Sequence, residues 1–362
     1  MKQLNILLFG IGQIGSALVN KLIDRREEIY KAKNIQFNLV AIANSKFVFW
    51  NSNVEKREWF ADLENYKAPY SVAEIIEKFK NEYAENLLAI DATADEAFVR
   101  NYPLLIENGF HIVSANKHAN TLNIEFYNQI RLHLKKYNRK FHYETHVGGG
   151  LPVLETIRGL QDAGDTITKV RGVFSGSLSY IFNTFSQADI SFSEAIKEAQ
   201  KQGLTEPDVR EDLSGKDVAR KLLIIARELG MNVEINDIQV ESLIPYQLNG
   251  KTTLSQFNKR IKEIDVVYAK RKIQLRNQEV LRYIGEIDFE KKTLRVSLEK
   301  IANQHPLRFI QGSEIIVEIY SKAYQPQPLV IRGSGAGVEV TSNGLFKDVL
   351  RLSSFLPEPT SV

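Results

Sequence analysis

The chain opens on an unbroken apolar run, Leu4 to Phe9, which reads as a strand buried on both faces. A glycine-rich turn follows, and the spacing from Ser16 to Arg25 predicts a helix. Further strands are predicted at Phe37–Ala43, Leu87–Asp91 and His111–Ser114. Helices are expected at Val72–Tyr83, Pro103–Asn108 and Ile124–Tyr137, the first of them closing a charged, aromatic-rich insert from Phe47 to Glu85. This alternation is that of an open α/β sheet. After a run of three glycines at Gly148–Gly150 the pattern changes. Helices are predicted at Val153–Leu160, Phe192–Gln202 and Leu254–Val267, and strands at Ile167–Phe174, Val280–Asp288, Thr293–Lys300 and Ile315–Tyr320. Together they suggest an antiparallel sheet packed by helices. A second glycine turn, Gly335-Ala336-Gly337, leads into a predicted helix at Val338–Ser353, which suggests that the chain returns to its first domain. The tail after Leu356 is expected to fray.

A length of 362 residues leaves room for two domains. The formal charge of +3 comes from 47 basic and 44 acidic residues, well mixed along the chain. That balance supports neither a nucleic-acid nor a membrane partner. The absence of cysteine excludes disulfides, thiolate nucleophiles and thiolate-bound metals. No apolar run approaches the roughly 18 residues of a membrane span, and the first residues run straight into a strand, so the expected location is cytoplasmic.

The turn Gly10-Ile11-Gly12-Gln13-Ile14-Gly15 sits between a strand and a helix, the context a dinucleotide-binding fingerprint needs. Gly10 suits the tight turn, Gly12 allows backbone to approach a pyrophosphate, and Gly15 permits close helix packing. The second strand ends in Ala43-Asn44-Ser45-Lys46. A cofactor without a 2′-phosphate normally meets an acidic side chain there, so NADP fits this end, with NAD as the alternative. The loops after Asp91 and Ser114, carrying Thr93 and Lys117, lie at carboxyl strand ends, where ligands bind in such sheets. Glu144 and the following glycines form either a hinge or a cation site of oxygen ligands. His111 and His118 read as surface histidines without assigned chemistry.

The stretch from Gln202 to Gly230 concentrates the remaining polar chemistry. Glu206, Asp208, Glu211 and Asp212 crowd a loop broken by Gly203 and Pro207, and Ser214 with Asp217 forms a capping pattern for the helix that follows. Asp217 and Lys221, four residues apart, share one helix face. They are either an ordinary surface pair or a pair that acts on a small polar substrate.

Taken in order, the motifs GIGQIG at Gly10, AIANSK at Ala41, SANKHAN at Ser114, VGGGLPVLE at Val147, GVFSGSLSYIF at Gly172, GLTEPDVREDLSGKDVARKLLI at Gly203 and RGSGAGVEVT at Arg332 resemble homoserine dehydrogenase. The likeness is to the dehydrogenase half of bifunctional aspartokinase–homoserine dehydrogenases and covers nearly the whole chain. It implies reversible NAD(P)H-dependent reduction of L-aspartate 4-semialdehyde to L-homoserine, in threonine and methionine biosynthesis. The implied fold is an N-terminal Rossmann nucleotide-binding domain, residues 1–147, and an α+β substrate and dimerisation domain with a mixed sheet, residues 148–330. A C-terminal segment, residues 331–362, would rejoin the nucleotide domain. By motif, Lys221 is the implied acid/base with Asp217 beside it, and Lys117 helps bind the reacting oxygen. Glu206, Asp212 and Asp217 hold the amino-acid part of the substrate. Gly10, Gly12, Gln13, Ile14, Gly15, Asn44, Thr93, Lys117, Gly203 and Gly337 match cofactor positions. Glu144 with Val147, Gly149 and Leu151 matches a structural monovalent-cation site, usually sodium.

A homodimer is the implied assembly. No aspartokinase sequence accompanies these motifs and no regulatory ACT domain follows Val362, so threonine feedback within this chain is not expected. The alternative class is a non-catalytic NADP-binding sensor, against which the set Lys117, Glu206, Asp217 and Lys221 argues.

Overall fold

The structure of the protein is a computed structural model that describes residues 2–50, 58–83, 85–249, 252–276 and 278–356. Part of the 47–85 insert and the tail after Leu356 lie outside the described residues. The chain divides into two compact units: residues to Gly150 with those from Gly337 onward, and Leu151–Ala336.

The first unit is built on seven strands: β1 (Lys2–Phe9), β2 (Ile35–Ala43), β3 (Phe47–Trp50), β4 (Ala68–Pro69), β5 (Leu87–Asp91), β6 (Phe110–Ser114) and β7 (Phe141–His142). Their order is β4-β3-β2-β1-β5-β6-β7. From β2 to β7 all pairings are parallel, whereas β3 and β4 add an antiparallel edge. This is a Rossmann-type sheet. The chain runs outward from β1 in both directions, so the end of β1 is the switch point at which such sheets bind ligands.

The helix predicted from Ser16 is longer, Gln13–Lys33, and ends at Asn34 in the left-handed conformation. It packs beside the last helix, Val338–Ser354, whose Leu345, Val349 and Leu352 join Leu4, Ile6, Leu18 and Val19 in one buried core. That shared core is the physical reason why the end of the chain returns to the first unit.

The second unit contains β8 (Ile167–Val173), β9 (Gln239–Val240), β10 (Val280–Asp288), β11 (Thr293–Ile301), β12 (Glu314–Ser321) and β13 (Leu329–Ser334). Their order is β13-β12-β8-β10-β11-β9, antiparallel except for the β11–β9 pair, so the sheet is mixed. The edge strand β13 was not legible behind the two prolines at Pro326 and Pro328. Its pairing with β12 keeps residues to Ala336 in the second unit, a few positions past the boundary read at 330. Leu254–Val267 is two helices, Leu254–Arg260 and Ile264–Ile273, joined by a 3₁₀ turn. Among the described residues no helix is long and apolar enough to cross a membrane.

Candidate active site

In the first unit the glycine turn closes on itself. A Cβ on Gly15 would lie 1.8 Å from the Gly10 carbonyl oxygen, so only glycine allows this helix to start so near the strand. Nothing lies within 4 Å of the position a Cβ would take on Gly12, and no side chain caps the first turn of the Gln13–Lys33 helix. Open space over uncapped N–H groups at a helix start fits a pyrophosphate. The residues present therefore fit a dinucleotide.

At the end of β2, Asn44 Oδ1 accepts from the amides of Lys46 and Phe47, both at 2.8 Å, while Ser45 and Lys46 are exposed. No carboxylate stands among these residues.

The ends of β5 and β6 are tied by a buried network that sequence reasoning missed. Asp91 accepts from the Thr93 amide (2.8 Å), Tyr102 Oη (2.8 Å) and Asn116 Nδ2 (3.0 Å). Tyr102 Oη also reaches Ser114 Oγ (2.8 Å), and Asn116 Nδ2 reaches Thr93 Oγ1 (3.1 Å) and the Asp95 carbonyl (2.9 Å). Burial pushes the Asp91 carboxyl up, against the opposing pull of its bonds to Thr93, Tyr102 and Asn116. The network fixes Thr93 and the residue before Lys117. Its members come from three segments 25 residues apart in sequence at the extremes, and only the strand-end position of Thr93 hinted at it.

Glu144 and Asp348 are both buried, and the Glu144 amide donates to Asp348 Oδ2 at 2.9 Å. Val147 is buried, and Gly148 and Gly149 turn the chain at φ 83° and 62°. Leu151 is the first residue of the second unit. The expected donors, one carboxylate and backbone carbonyls, are hard oxygens of the kind that oxygen-preferring cations take. Among the described residues no group of three or more His, Asp or Glu side chains could hold a metal ion.

In the second unit the Lys216–Glu228 helix carries Asp217 and Lys221. Ser214 is not its N-cap residue, although its Oγ accepts from the Lys216 amide at 3.3 Å. Ser214 closes the short Val209–Leu213 helix instead, and the cap is Gly215 at φ 75°, without a side-chain cap bond. A Cβ there would lie 2.0 Å from Tyr283 Oη, so the tight seat against β10 takes glycine at the cap. The apolar face, Leu222 to Ala226, is buried.

Lys221 is 9% exposed, and its Nζ donates to the Phe174 carbonyl at 2.8 Å and pairs with Asp217 Oδ2 at 2.7 Å. The acidic loop sorts itself by partners. Asp208 caps the Val209–Leu213 helix and holds the Arg210 guanidinium, so it is structural. Asp212 turns inward: Ser177 Oγ donates to it at 2.6 Å and the Glu206 amide at 2.9 Å. Ser177 Oγ also lies 2.9 Å from Ser175 Oγ, the cap of the Gly176–Gln187 helix. Burial lifts the Asp212 carboxyl above its usual range; the bonds from Ser177 and Glu206 oppose this and the Asp217 charge adds to it. The Glu206 side chain is exposed at the loop rim.

Phe174, Ser177, Glu206, Asp212, Asp217 and Lys221 thus belong to the second unit, as does Gly203; the other cofactor-matched positions and Lys117 belong to the first. Ser177 and the Phe174 carbonyl were not singled out by the sequence, although both lie in the motif GVFSGSLSYIF. Chemically, the second unit offers a placed ammonium with carboxylates nearby, which suits a substrate bearing both an amine and a reacting oxygen.

Comparison with known proteins places both units in one family. The homoserine dehydrogenase family model matches residues 152–350, and the model of that enzyme's NAD-binding domain matches residues 10–144. The bifunctional aspartokinase/homoserine dehydrogenase of Buchnera aphidicola is 38% identical over 355 residues, 98% of this chain. This chain spans 43% of that protein's length. The homoserine dehydrogenase of Schizosaccharomyces pombe is 33% identical over 97% of this chain and 95% of its own length. A hyperthermophilic archaeal homoserine dehydrogenase, solved in complex with NADPH, superposes with a TM-score of 0.73 over 98% of this chain and 99% of its own, at 18% identity, a likeness of fold.

Proposed function

The chain belongs to the homoserine dehydrogenase family, and we propose that it carries out the reversible NAD(P)H-dependent reduction of L-aspartate 4-semialdehyde to L-homoserine. The observation that carries this reading is Lys221. Two of the three N–H groups of its ammonium are engaged, by the Phe174 carbonyl and Asp217, which leaves the third to meet the reacting oxygen.

The nicotinamide supplies or takes the hydride. Lys221 holds the proton that the substrate oxygen gains on reduction, and its charge stabilises the negative charge that develops there. Asp217 and the Phe174 carbonyl aim the ammonium. Lys117 adds a second cation for the same oxygen. Asp212 and Glu206 receive the substrate's ammonium group, Asp212 being oriented by Ser177. Asn44, Ser45 and Lys46 favour NADP, because a lysine and two polar residues stand where NAD-selective sheets carry an acid. Gly12, Gln13, Ile14 and Thr93 line the pyrophosphate side, with Gly203 and Gly337 as further contacts. Glu144, with the carbonyls of Val147, Gly149 and Leu151, is assigned to a structural sodium ion that takes no part in the chemistry. A homodimer and a cytoplasmic location complete the proposal.

The test is an absorbance assay at the nicotinamide band with L-homoserine and NADP, repeated with NAD. Turnover with either supports the reading. Tight cofactor binding without turnover overturns it in favour of a sensor.

A further inference from the structure

The carboxyl ends of the first sheet carry the cofactor motifs, and its amino ends carry a different chemistry. The turns that lead into β5, β6 and β7 surround a cavity of ≈ 330 Å³. Lys80, Arg139 and Lys140 line it against one carboxylate, Glu85, and Asn108 adds an amide.

Among the described residues little neutralises these cations. Lys80 Nζ donates to the neutral Asn108 Oδ1 at 3.1 Å, and Lys140 Nζ stands 5.6 Å over the Phe355 ring. Arg139 Nη1 donates to the Asn138 carbonyl at 3.3 Å, and its buried Nε meets no acceptor among the described residues. A buried guanidinium N–H without an acceptor is costly to keep, because it has given up water without gaining a partner. A planar guanidinium with two ammonium groups around a small cavity is the donor pattern that recognises phosphate-type oxyanions.

We propose that this cavity binds a small phosphate-type anion, inorganic phosphate or a compact phosphate ester, gripped by Arg139 with Lys140 and Lys80. It is a second anion site on the nucleotide unit, at the other end of the strands from the glycine turn. His111 reports on it from inside the wall. It is buried, its Nδ1 accepts from the Lys140 amide at 2.9 Å, and burial with the charges of Arg139 and Lys140 pushes its imidazole down to about 4.

The experiment is imidazole NMR on the full chain at pH 7, with NADP saturating so that the glycine turn is filled. The chain has six histidines, which keeps the assignment tractable. Inorganic phosphate, added at fixed ionic strength against chloride, should shift the His111 resonance along a saturating curve. Arg139→Gln should weaken that binding at least tenfold, and Arg139→Lys should restore part of it. Glycerol 3-phosphate against phosphate then distinguishes an ester from the free ion. A linear response in the native chain, or an unchanged affinity in Arg139→Gln with a native melting curve, overturns the site.

Discussion

Asp91 and Asp212 are both carboxylates that burial has lifted, one in each unit, and their surroundings are opposite in kind. Three donors from three segments converge on Asp91, and each of them is neutral. Asp212 receives one hydroxyl and one amide and faces the negative charge of Asp217. The first arrangement is saturated and positions its neighbours. The second keeps acceptor capacity beside a like-charge neighbour, which is itself paired with Lys221. The Asp91 network is a frame, and the Asp212 site is the proposed receptor.

The largest break in this contrast should come from removing Lys221, the proposed proton source beside the proposed receptor. Lys221→Ala should lower kcat by about 10²–10⁴-fold, the usual range for general acid–base catalysis, with NADP affinity unchanged in a fluorescence titration. Near-native turnover would remove Lys221 from the mechanism. Asp91→Asn should next lose about 1–3 kcal/mol of stability in denaturant unfolding, because its Nδ2 would face the donors that Asp91 accepts from. An unchanged midpoint would mean that the network is not a frame.

Asp212→Asn should behave in the reverse way. The folded-state pKa of Asp212 is raised, so its ionisation weighs against the fold as pH rises through that value. At neutral pH the amide should therefore leave stability equal or higher, while KM for homoserine rises about tenfold, the equivalent of roughly 1.4 kcal/mol. In the native enzyme KM should climb as pH falls through a window above the ordinary aspartate value of 3.8, since only the ionised carboxylate pairs with ammonium. The smallest effect belongs to Ser177→Ala. Loss of its bond should move that acid limb further upward at little cost in stability, about 0.5–1.5 kcal/mol. A pH profile that does not move would sever Ser177 from the receptor.

Much of the frame was legible along the chain. Period-two and period-3.6 patterns located most strands and helices, and the glycine turn at Gly10–Gly15 stood where strand and helix demanded it. What escaped were features made by distance in sequence. Asp212 and Ser177 are 35 positions apart, and no local pattern announces their 2.6 Å bond. Ser214 looked like a cap because the letters Ser and Asp were correctly spaced. Tertiary packing decided otherwise, since Tyr283 Oη occupies the space that only Gly215 can leave open. β13 was hidden because its strand begins directly after a proline-rich turn and pairs on one side only.

The contact between Gly215 and Tyr283 has a mechanical consequence. It acts as an end stop, anchoring the first residue of the helix cap to a strand in the middle of the sheet. A slip of one residue would advance the helix by about 1.5 Å and rotate Lys221 by about 100°, out of reach of the Phe174 carbonyl. The tolerance of the lysine's aim is thus set at the stop, six residues away from the ammonium it calibrates. Attempts to widen the substrate range have room in the Glu206 rim, where the chain is exposed, and almost none along the helix itself.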